Sequence, residues 1–395
     1  MSVMSQIGAV TAMNIRNIPT RLGTSLVVVI GIAGVVGVLV ALLSMAAGFK
    51  ATLASTGKPD RVIVLRGGAN DELQSVLSRD QAQTLLDLPG IKKDAEGKPL
   101  AAMELYLLAD IRKKGNNAPA NVVVRSTSPE VLKLRPEIKI IQGRMFQPGL
   151  REVVVGRAAQ GEFAGLTVGS QVEVRDGPWT VVGVFESGGD VHESELMVDV
   201  SAIQSATQRQ GYTSAMLQLE SPEAFQAFKD RATSDPRLSV SVQSEPEYYA
   251  SRSKALSGFI TYLGYTVATI MGIGALFGAL NTMYAAVSTR SVEIATLRAI
   301  GFGGFAVVVS VLIEALVLAL AGGTLGAGIA YLVFNGYTVS TLNFQTFSQV
   351  AFDFKVTPAL LQSGITWACV IGLLGGLFPA IRAARLPVVD ALRAS

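Results

Sequence analysis

Long uncharged apolar runs alternate with polar ones, one before a large polar region and three after it. Residues 22–49, 255–289 and 356–381 contain no Asp, Glu, Lys or Arg, and 302–352 is interrupted only by Glu314. About 20 helical residues cross the roughly 30 Å hydrocarbon core of a bilayer. The first, second and fourth runs therefore each predict one spanning helix, and the third predicts one span followed by a polar segment, YTVSTLNFQTFSQV. The first run is far longer than the apolar core of a signal peptide, about 7–15 residues, and SMAAGFK is a poor cleavage context, so it reads as an uncleaved anchor.

The predicted fold class is an α-helical membrane protein with four transmembrane helices plus a large α+β extracytoplasmic domain inserted between helices 1 and 2. Its parts are residues 1–49 (N-terminal segment and first span), 50–254 (external domain with stalk ends), 255–289 (second span) and 290–302 (a charged connection). The third span (303–335), a short outside loop (336–356) and the fourth span with its tail (357–395) follow. Lysine and arginine near the span ends set the orientation. With the N-terminus inside, the cytoplasmic segments hold Arg16, Arg21, Arg290, Arg298, Arg382, Arg385 and Arg393, while the short outside segments hold only Lys50 and Lys355.

Residues 51–254 carry 24 Lys and Arg against 26 Asp and Glu, a balance of −2, whereas the remainder carries +5. RVIVL, NVVVR, EVVVG, SQVEVRD, WTVVGVFE and SAMLQLE are short β-branched runs bounded by Gly, Asp or Pro, as strands are. SRDQAQTLLDL and SPEAFQAFKDRA read as helices, the second opening on a serine cap with proline in its first turn.

The second span is too long for one crossing: 35 uncharged residues measure about 52 Å at 1.5 Å per residue. Before it, Ser244 and Glu247 have capping-box spacing with Pro246 in the first turn, so the helix is expected to begin near 245 and enter the membrane unbroken. FKATLAS extends the first span outward in the same way, giving a two-helix stalk; a helix-friendly linker is the alternative.

Gly274/Gly278, Gly322/Gly326 and Gly372/Gly376 form small-xxx-small pairs, suited to close helix packing within the chain or to a seam with a second copy. Glu314 is costly inside a span and is expected to find a partner, as a structural pair with the cytoplasmic arginines, a moving latch or a relay.

Between the second and third spans lies TRSVEIATLRAIGF, residues 289–302. On a helix, Val292, Ala295 and Ala299 form a small face able to lie under the spans, while Ile294, Leu297 and Ile300 share the other side with Arg290, Glu293 and Arg298. A membrane-lying helix would separate charge from aliphatics. The mixture resembles a protein-docking surface, with a solvated, topology-setting loop as the alternative, and Gly301 supplies the stop.

Composition narrows the chemistry. Half the residues are hydrophobic, 16% are charged, and the net charge is only +3, with no basic cluster interleaved with aromatics, so nucleic acid is not an expected partner. One cysteine and one histidine exclude a disulfide framework and the usual His-rich metal and triad constellations. His192 lies among Glu193, Glu195 and Asp199 and reads as solvent-exposed polar chemistry rather than a metal centre. Cys369 reads as an apolar filler, and Tyr248 and Tyr249 as interfacial anchors or as stalk packing.

SVEIATLRAIGF resembles the cytoplasmic loop of MacB/FtsX-type ABC transporter permeases, and FPAIRAARLPVVDALRAS is similar to that family's closing pattern. REVVVGRAAQGEFAGLTVGSQVEV and WTVVGVFESGG resemble its extracytoplasmic domain, and the likeness covers essentially the whole chain. The resemblance implies a type VII exporter subunit of the inner membrane with cytoplasmic termini. It also implies pairing with a second permease copy or paralogue, and a separate ABC ATPase whose stroke passes through a coupling helix to the periplasmic domain. Carried onto this chain, the ATPase-coupling residues are Arg290, Glu293, Ile294, Leu297, Arg298 and Gly301, braced by Arg382 and Arg385. No G-x-x-x-x-G-K-[ST] occurs, so no cofactor is assigned to this chain, and ATP and Mg belong to the partner ATPase. The implied function is expulsion of amphiphiles, peptides or lipids with a periplasmic adaptor and outer-membrane channel; lipoprotein release and regulation of a cell-wall hydrolase are alternatives.

Overall fold

The computed structural model describes residues 3–17, 19, 22–175, 177–343 and 348–388. Arg21, Arg393, part of the polar segment after the third span and the end of the tail lie outside the described residues. The chain opens with α1 (Val3–Arg16) and α2 (Leu22–Ser55). Next come β1 (Arg61–Arg66), α3 (Arg79–Leu86), β2 (Ala101–Arg112), β3 (Pro119–Thr127), α4 (Val131–Leu134), β4 (Lys139–Gly143), β5 (Glu152–Gly156) and α5 (Arg157–Glu162). The domain continues through β6 (Gln171–Glu173), β7 (Pro178–Glu186), β8 (Glu195–Asp199), α6 (Val200–Thr207), β9 (Ser214–Gln218), α7 (Ala224–Ser234) and β10 (Val240–Ser244). It ends with α8 (Glu245–Thr289), α9 (Ser291–Ala299), α10 (Gly304–Phe334), β11 (Thr338–Asn343), β12 (Ser348–Asp353) and α11 (Pro358–Ala384).

Two compact units result: residues 1–47, 258–337 and 354–395 form one, and residues 48–257 with 338–353 form the other. Within the first, α2, α8, α10 and α11 are long and apolar enough to cross a membrane. Their shared core is small and aliphatic, with Ile32, Val36 and Val40 of α2 against Leu318, Ala319 and Ala327 of α10 and Ala368 and Ile371 of α11. Glycine lets the backbones meet. A Cβ at Gly326 would stand 2.3 Å from the Ala33 carbonyl oxygen, and one at Gly322 2.7 Å from that of Val29; Gly372 and Gly376 lie equally close to Ala319 and Ala315. Two of the three glycine pairs are thus used for packing inside this chain, whereas Gly274 and Gly278 meet nothing within 4 Å. The N-terminal segment, given no structure by the sequence reading, forms α1, which rests on α10 through an Asn14 amide donating to Ser310 Oγ at 2.7 Å.

The second unit is built on a sheet of order β10-β1-β9-β2-β3-β8-β5-β7-β4, with β6 on β7. Pairing is antiparallel except between β3 and β8 and between β5 and β7. One side of the sheet buries Leu105, Val124, Val155, Trp179 and Leu196; a second core gathers Val62, Leu217 and Phe228 against α7. The Ser78–Gln81 capping box opens α3 with both its bonds made. In contrast, α7 starts at Ala224 with Glu223 at its N-cap and no side-chain cap, so the expected serine cap is not used. The loop expected at 336–356 contains the β11–β12 hairpin, which belongs to this unit.

Candidate coupling site and the buried charge cluster

The helix α8 runs unbroken for 45 residues, and Glu247 N donates to Ser244 Oγ at its start, one half of the expected box. It ends where Arg290 leaves helical geometry (φ −108°, ψ 10°), and α9 begins at the next residue. Gly301 closes α9 at φ +102°, with Gly301 N donating to Arg298 O (3.1 Å) and Phe302 N to Leu297 O (3.0 Å), the double bond of a Schellman motif.

The faces of α9 differ from those expected. Ile294 and Ala295 are buried, Ile294 among Met283, Val287, Val307, Val311 and Ala383. Val292, Glu293, Thr296, Ala299 and Ile300 are exposed, Ile300 to 70%. The small-residue face does not lie under the spans as a set, because the larger aliphatic Ile294 gains more from burial than Val292 or Ala299 would. Arg290 is also turned inward: its Nη1 donates to Glu314 Oε2 at 3.1 Å, both residues being buried, while its Nε lies 4.0 Å from the half-exposed Glu293. Glu314 has the arginine partner that an intramembrane carboxylate requires. Arg298 donates from Nη1 to the carbonyl of Leu386 at 2.8 Å, so the tail meets α9 through its backbone. Among the described residues neither tail arginine has a side-chain hydrogen bond or ion pair to α9: Arg382 lies over the Tyr284 ring at 5.5 Å, and Arg385 is exposed at the end of α11.

A second concentration of charge lies inside the sheet unit. Arg125 on β3 binds Glu195 of β8 bidentately (Nε 2.7 Å, Nη2 2.9 Å) and sends Nη1 to Glu72 (2.8 Å) and Glu104 (2.5 Å). Glu72 also accepts from Ser214 Oγ at 2.7 Å and Tyr248 OH at 3.2 Å, and Arg252 lies over the Tyr248 ring at 4.0 Å. Beside it, Arg61 Nε reaches Glu245 at 2.6 Å and its Nη2 reaches Glu137 at 2.5 Å, while Arg135 stands 3.4 Å from Glu245 and contacts His192. Burial raises the Glu195 and Glu72 carboxyls, but the Arg125 charge more than reverses this and holds both below the usual carboxylate range. Glu245, Tyr248, Tyr249 and Arg252 occupy one face of the first two turns of α8 at helical spacing, and all four are buried. Both tyrosines are therefore packing residues.

The acids around His192 are not solvent-exposed as the sequence suggested. Glu193, Glu195 and Asp199 are buried with it, since ELMVD is strand β8 in mid-sheet and His192 Nδ1 lies 3.0 Å from Glu195. Sequence reasoning missed the cluster. Its signals were Glu245-x-x-Tyr-Tyr-x-x-Arg252 at helical spacing and a charge set among apolar neighbours in each of two strands, Arg125 in NVVVR and Glu104 in AAMELYLLA.

Family models place this geometry. Residues 22–235 match the MacB-like periplasmic core domain, more than half of the chain, and residues 265–388 match the FtsX-like permease C-terminal domain. The chain belongs to the MacB/FtsX-type ABC permease family. Among its relatives, the uncharacterized ABC transporter permease YknZ of Bacillus subtilis is 24% identical over 370 residues, which cover 84% of this chain and 90% of YknZ. The macrolide export ATP-binding/permease protein MacB of Hahella chejuensis is 23% identical over 371 residues, and there the match spans only 55% of the relative. The extracellular domain of YknZ from Gram-positive bacteria, known as a crystal structure, aligns over 47% of this chain and 100% of its own at 14% identity and a TM-score of 0.35. In this MacB/FtsX-type permease, α9 and the Arg290–Glu314 pair fall in the FtsX-like match. Arg125 and its three carboxylates fall in the MacB-like match, and the head of α8 lies between the two.

Proposed function

We propose that this chain is the permease subunit of an ABC-type export complex, in which ATP-driven movement of a separate ATPase enters at α9 and is passed along α8 to the periplasmic domain, expelling amphiphilic, peptide or lipid substrates. The observation that carries the reading is α8 itself: one uninterrupted 45-residue helix fixed at its head by Glu245 to Arg61 and joined at its foot to α9 by the buried Arg290. In this reading the Glu245–Arg61 pair, being directional, ties the head of α8 to β1 in one register, and a continuous helix transmits both displacement and twist.

In this reading the exposed residues Val292, Glu293 and Ile300 meet the ATPase, whereas Ile294 and Arg290 hold α9 to the spans and Arg298 ties it to the tail. ATP and Mg sit in the partner, a role supported by the lack of any phosphate-cradling G-x-x-x-x-G-K-[ST] in this sequence. The termini face the cytoplasm, as the arginine bias supports. A second permease, a periplasmic adaptor and an outer-membrane channel complete the assembly.

The test is Val292→Glu and Ile300→Glu, at positions 38% and 70% exposed, in complexes reconstituted with the ATPase. Both variants insert and melt as the parent does but lose transport-coupled ATP hydrolysis. Unchanged coupling in both variants refutes the reading.

A further inference from the structure

A cavity of about 750 Å³ opens in the periplasmic unit between the β2–β3 turn, α5, the loop before β8 and the β11–β12 hairpin. That volume suits a drug-sized molecule. The charges on its wall do not cancel. Lys113 is paired with Glu162 at 2.6 Å, and Arg157 with Glu186 at 3.3 Å. Lys114 donates to the Gln160 carbonyl and has no carboxylate partner among the described residues. Asp190, Glu193 and Asp353 have no cation within ion-pair distance among the described residues. Of the charged residues that line the cavity, Glu162, Asp190, Glu193 and Asp353 stand against Lys113, Lys114 and Arg157, an excess of one negative charge.

Two of these carboxylates are held in place before any ligand arrives. Asp190 and Glu193 are each only 6% exposed. Glu193 Oε1 accepts the backbone N–H groups of Ser187 and Gly189, both at 2.8 Å. Asp190 accepts from Ser187 Oγ at 2.8 Å and from His192 N at 2.9 Å. The connecting turn is possible because Gly188 and Gly189 take φ +70° and +79°. Burial raises the Asp190 carboxyl despite the more distant His192 and Arg135, as expected of an acid with no cation against it. The rest of the wall is partly apolar, with Ala158, Val339, Ala351 and Phe352.

We propose that this cleft binds an organic ammonium ion with an apolar body, its charge facing Asp190 and Glu193 and its hydrocarbon part lying against Val339 and Phe352. The proposal deepens the export reading by naming a substrate class, and its relevance to transport rests on that reading.

The experiment uses the 395-residue chain in neutral detergent with no ATPase or nucleotide present, so its outcome is independent of the coupling test. The probes are 4-phenylbutylamine, its uncharged match 4-phenylbutanol and the anion 4-phenylbutyrate, titrated by calorimetry. The amine binds at least about tenfold more tightly than the alcohol, the anion binds least, and added salt weakens the amine. Glu193→Gln keeps the single oxygen that both N–H groups use, and Asp190→Asn keeps one acceptor oxygen and turns the other into an NH2 able to donate to Ser187 Oγ; together they reduce amine affinity about tenfold or more and leave the alcohol unchanged. Lys114→Ala, on the exposed rim, tightens the amine. Equal affinity for amine and alcohol in the parent protein overturns the proposal without any variant, as does amine binding that a folded Asp190→Asn/Glu193→Gln protein retains in full.

Discussion

Replacing Arg125 with methionine tests whether one guanidinium holds the sheet unit together. It bonds three carboxylates, Glu72, Glu104 and Glu195, each no more than 3% exposed. Removing one partner of a buried ion pair costs about 3–5 kcal/mol, because the charge left behind is uncompensated. A loss of that size is a large share of the roughly 5–15 kcal/mol that holds a typical domain. The pH dependence is more diagnostic than the size. In the parent, Glu72 and Glu195 have folded pKa values below their unfolded ones, so their stabilisation is complete above the unfolded value and is lost as pH falls below it. In the variant the same carboxyls keep their burial and lose the arginine, which places their folded pKa above the unfolded one. Each such group then adds stability as pH falls through the raised value, at up to about 1.4 kcal/mol per pH unit. The deficit of Arg125→Met is therefore largest near pH 7.5 and narrows towards pH 5. Denaturant unfolding of the full chain in detergent, read from the buried Trp179 in a Trp367→Phe background, measures it. A deficit that stays constant or widens on acidification refutes the account of the cluster.

Gly326→Ala places a methyl 2.3 Å from the Ala33 carbonyl oxygen and within 2.9 Å of its Cα, so backbone must move, and a cost of about 1–3 kcal/mol appears as a lower melting temperature of the detergent-solubilised chain. Gly274→Ala meets open space and, by removing a helix glycine, leaves the melt unchanged or raises it. Arg290→Met alone destabilises by about 3–5 kcal/mol, whereas Arg290→Met with Glu314→Met is close to neutral; a double-mutant cycle that shows simple additivity contradicts the buried pair.

The four spans were legible because hydrocarbon thickness imposes a length no other element needs, and the start of α8 at Glu245 because a cap and a proline have local causes. Strands such as EVVVG and WTVVGVFE announced themselves by β-branched runs. The hairpin β11–β12 did not. Its sequence, TVSTLN and SQVAFD, continues an uncharged stretch, and composition alone does not separate a polar loop from a short strand pair. ELMVD was hidden by its flanking acids, which only the sheet register shows to be interior. Burial of polar groups depends on partners distant in sequence, such as Glu72, 53 residues from Arg125, and no local pattern reports it.

The same limit explains why α9 was misjudged by its faces. A nine-residue helix carries too little apolar surface to fix its own orientation, so the neighbouring helices decide which side is buried. Here Ile294 enters the aliphatic cluster of α10 and α11, and Arg290, four residues earlier, follows it inward on the same face, where Glu314 neutralises its charge. Glu293, adjacent in sequence but 100° around the helix, must then point away. Under the export reading this separates two tasks that the sequence pattern had merged. One face, anchored by an ion pair and an isoleucine, makes α9 move with the spans, and the other, with Ile300 70% exposed, is left open for a partner. An acid placed on the anchoring face should therefore damage folding before it damages coupling, and an acid placed at Ile300 should do the reverse.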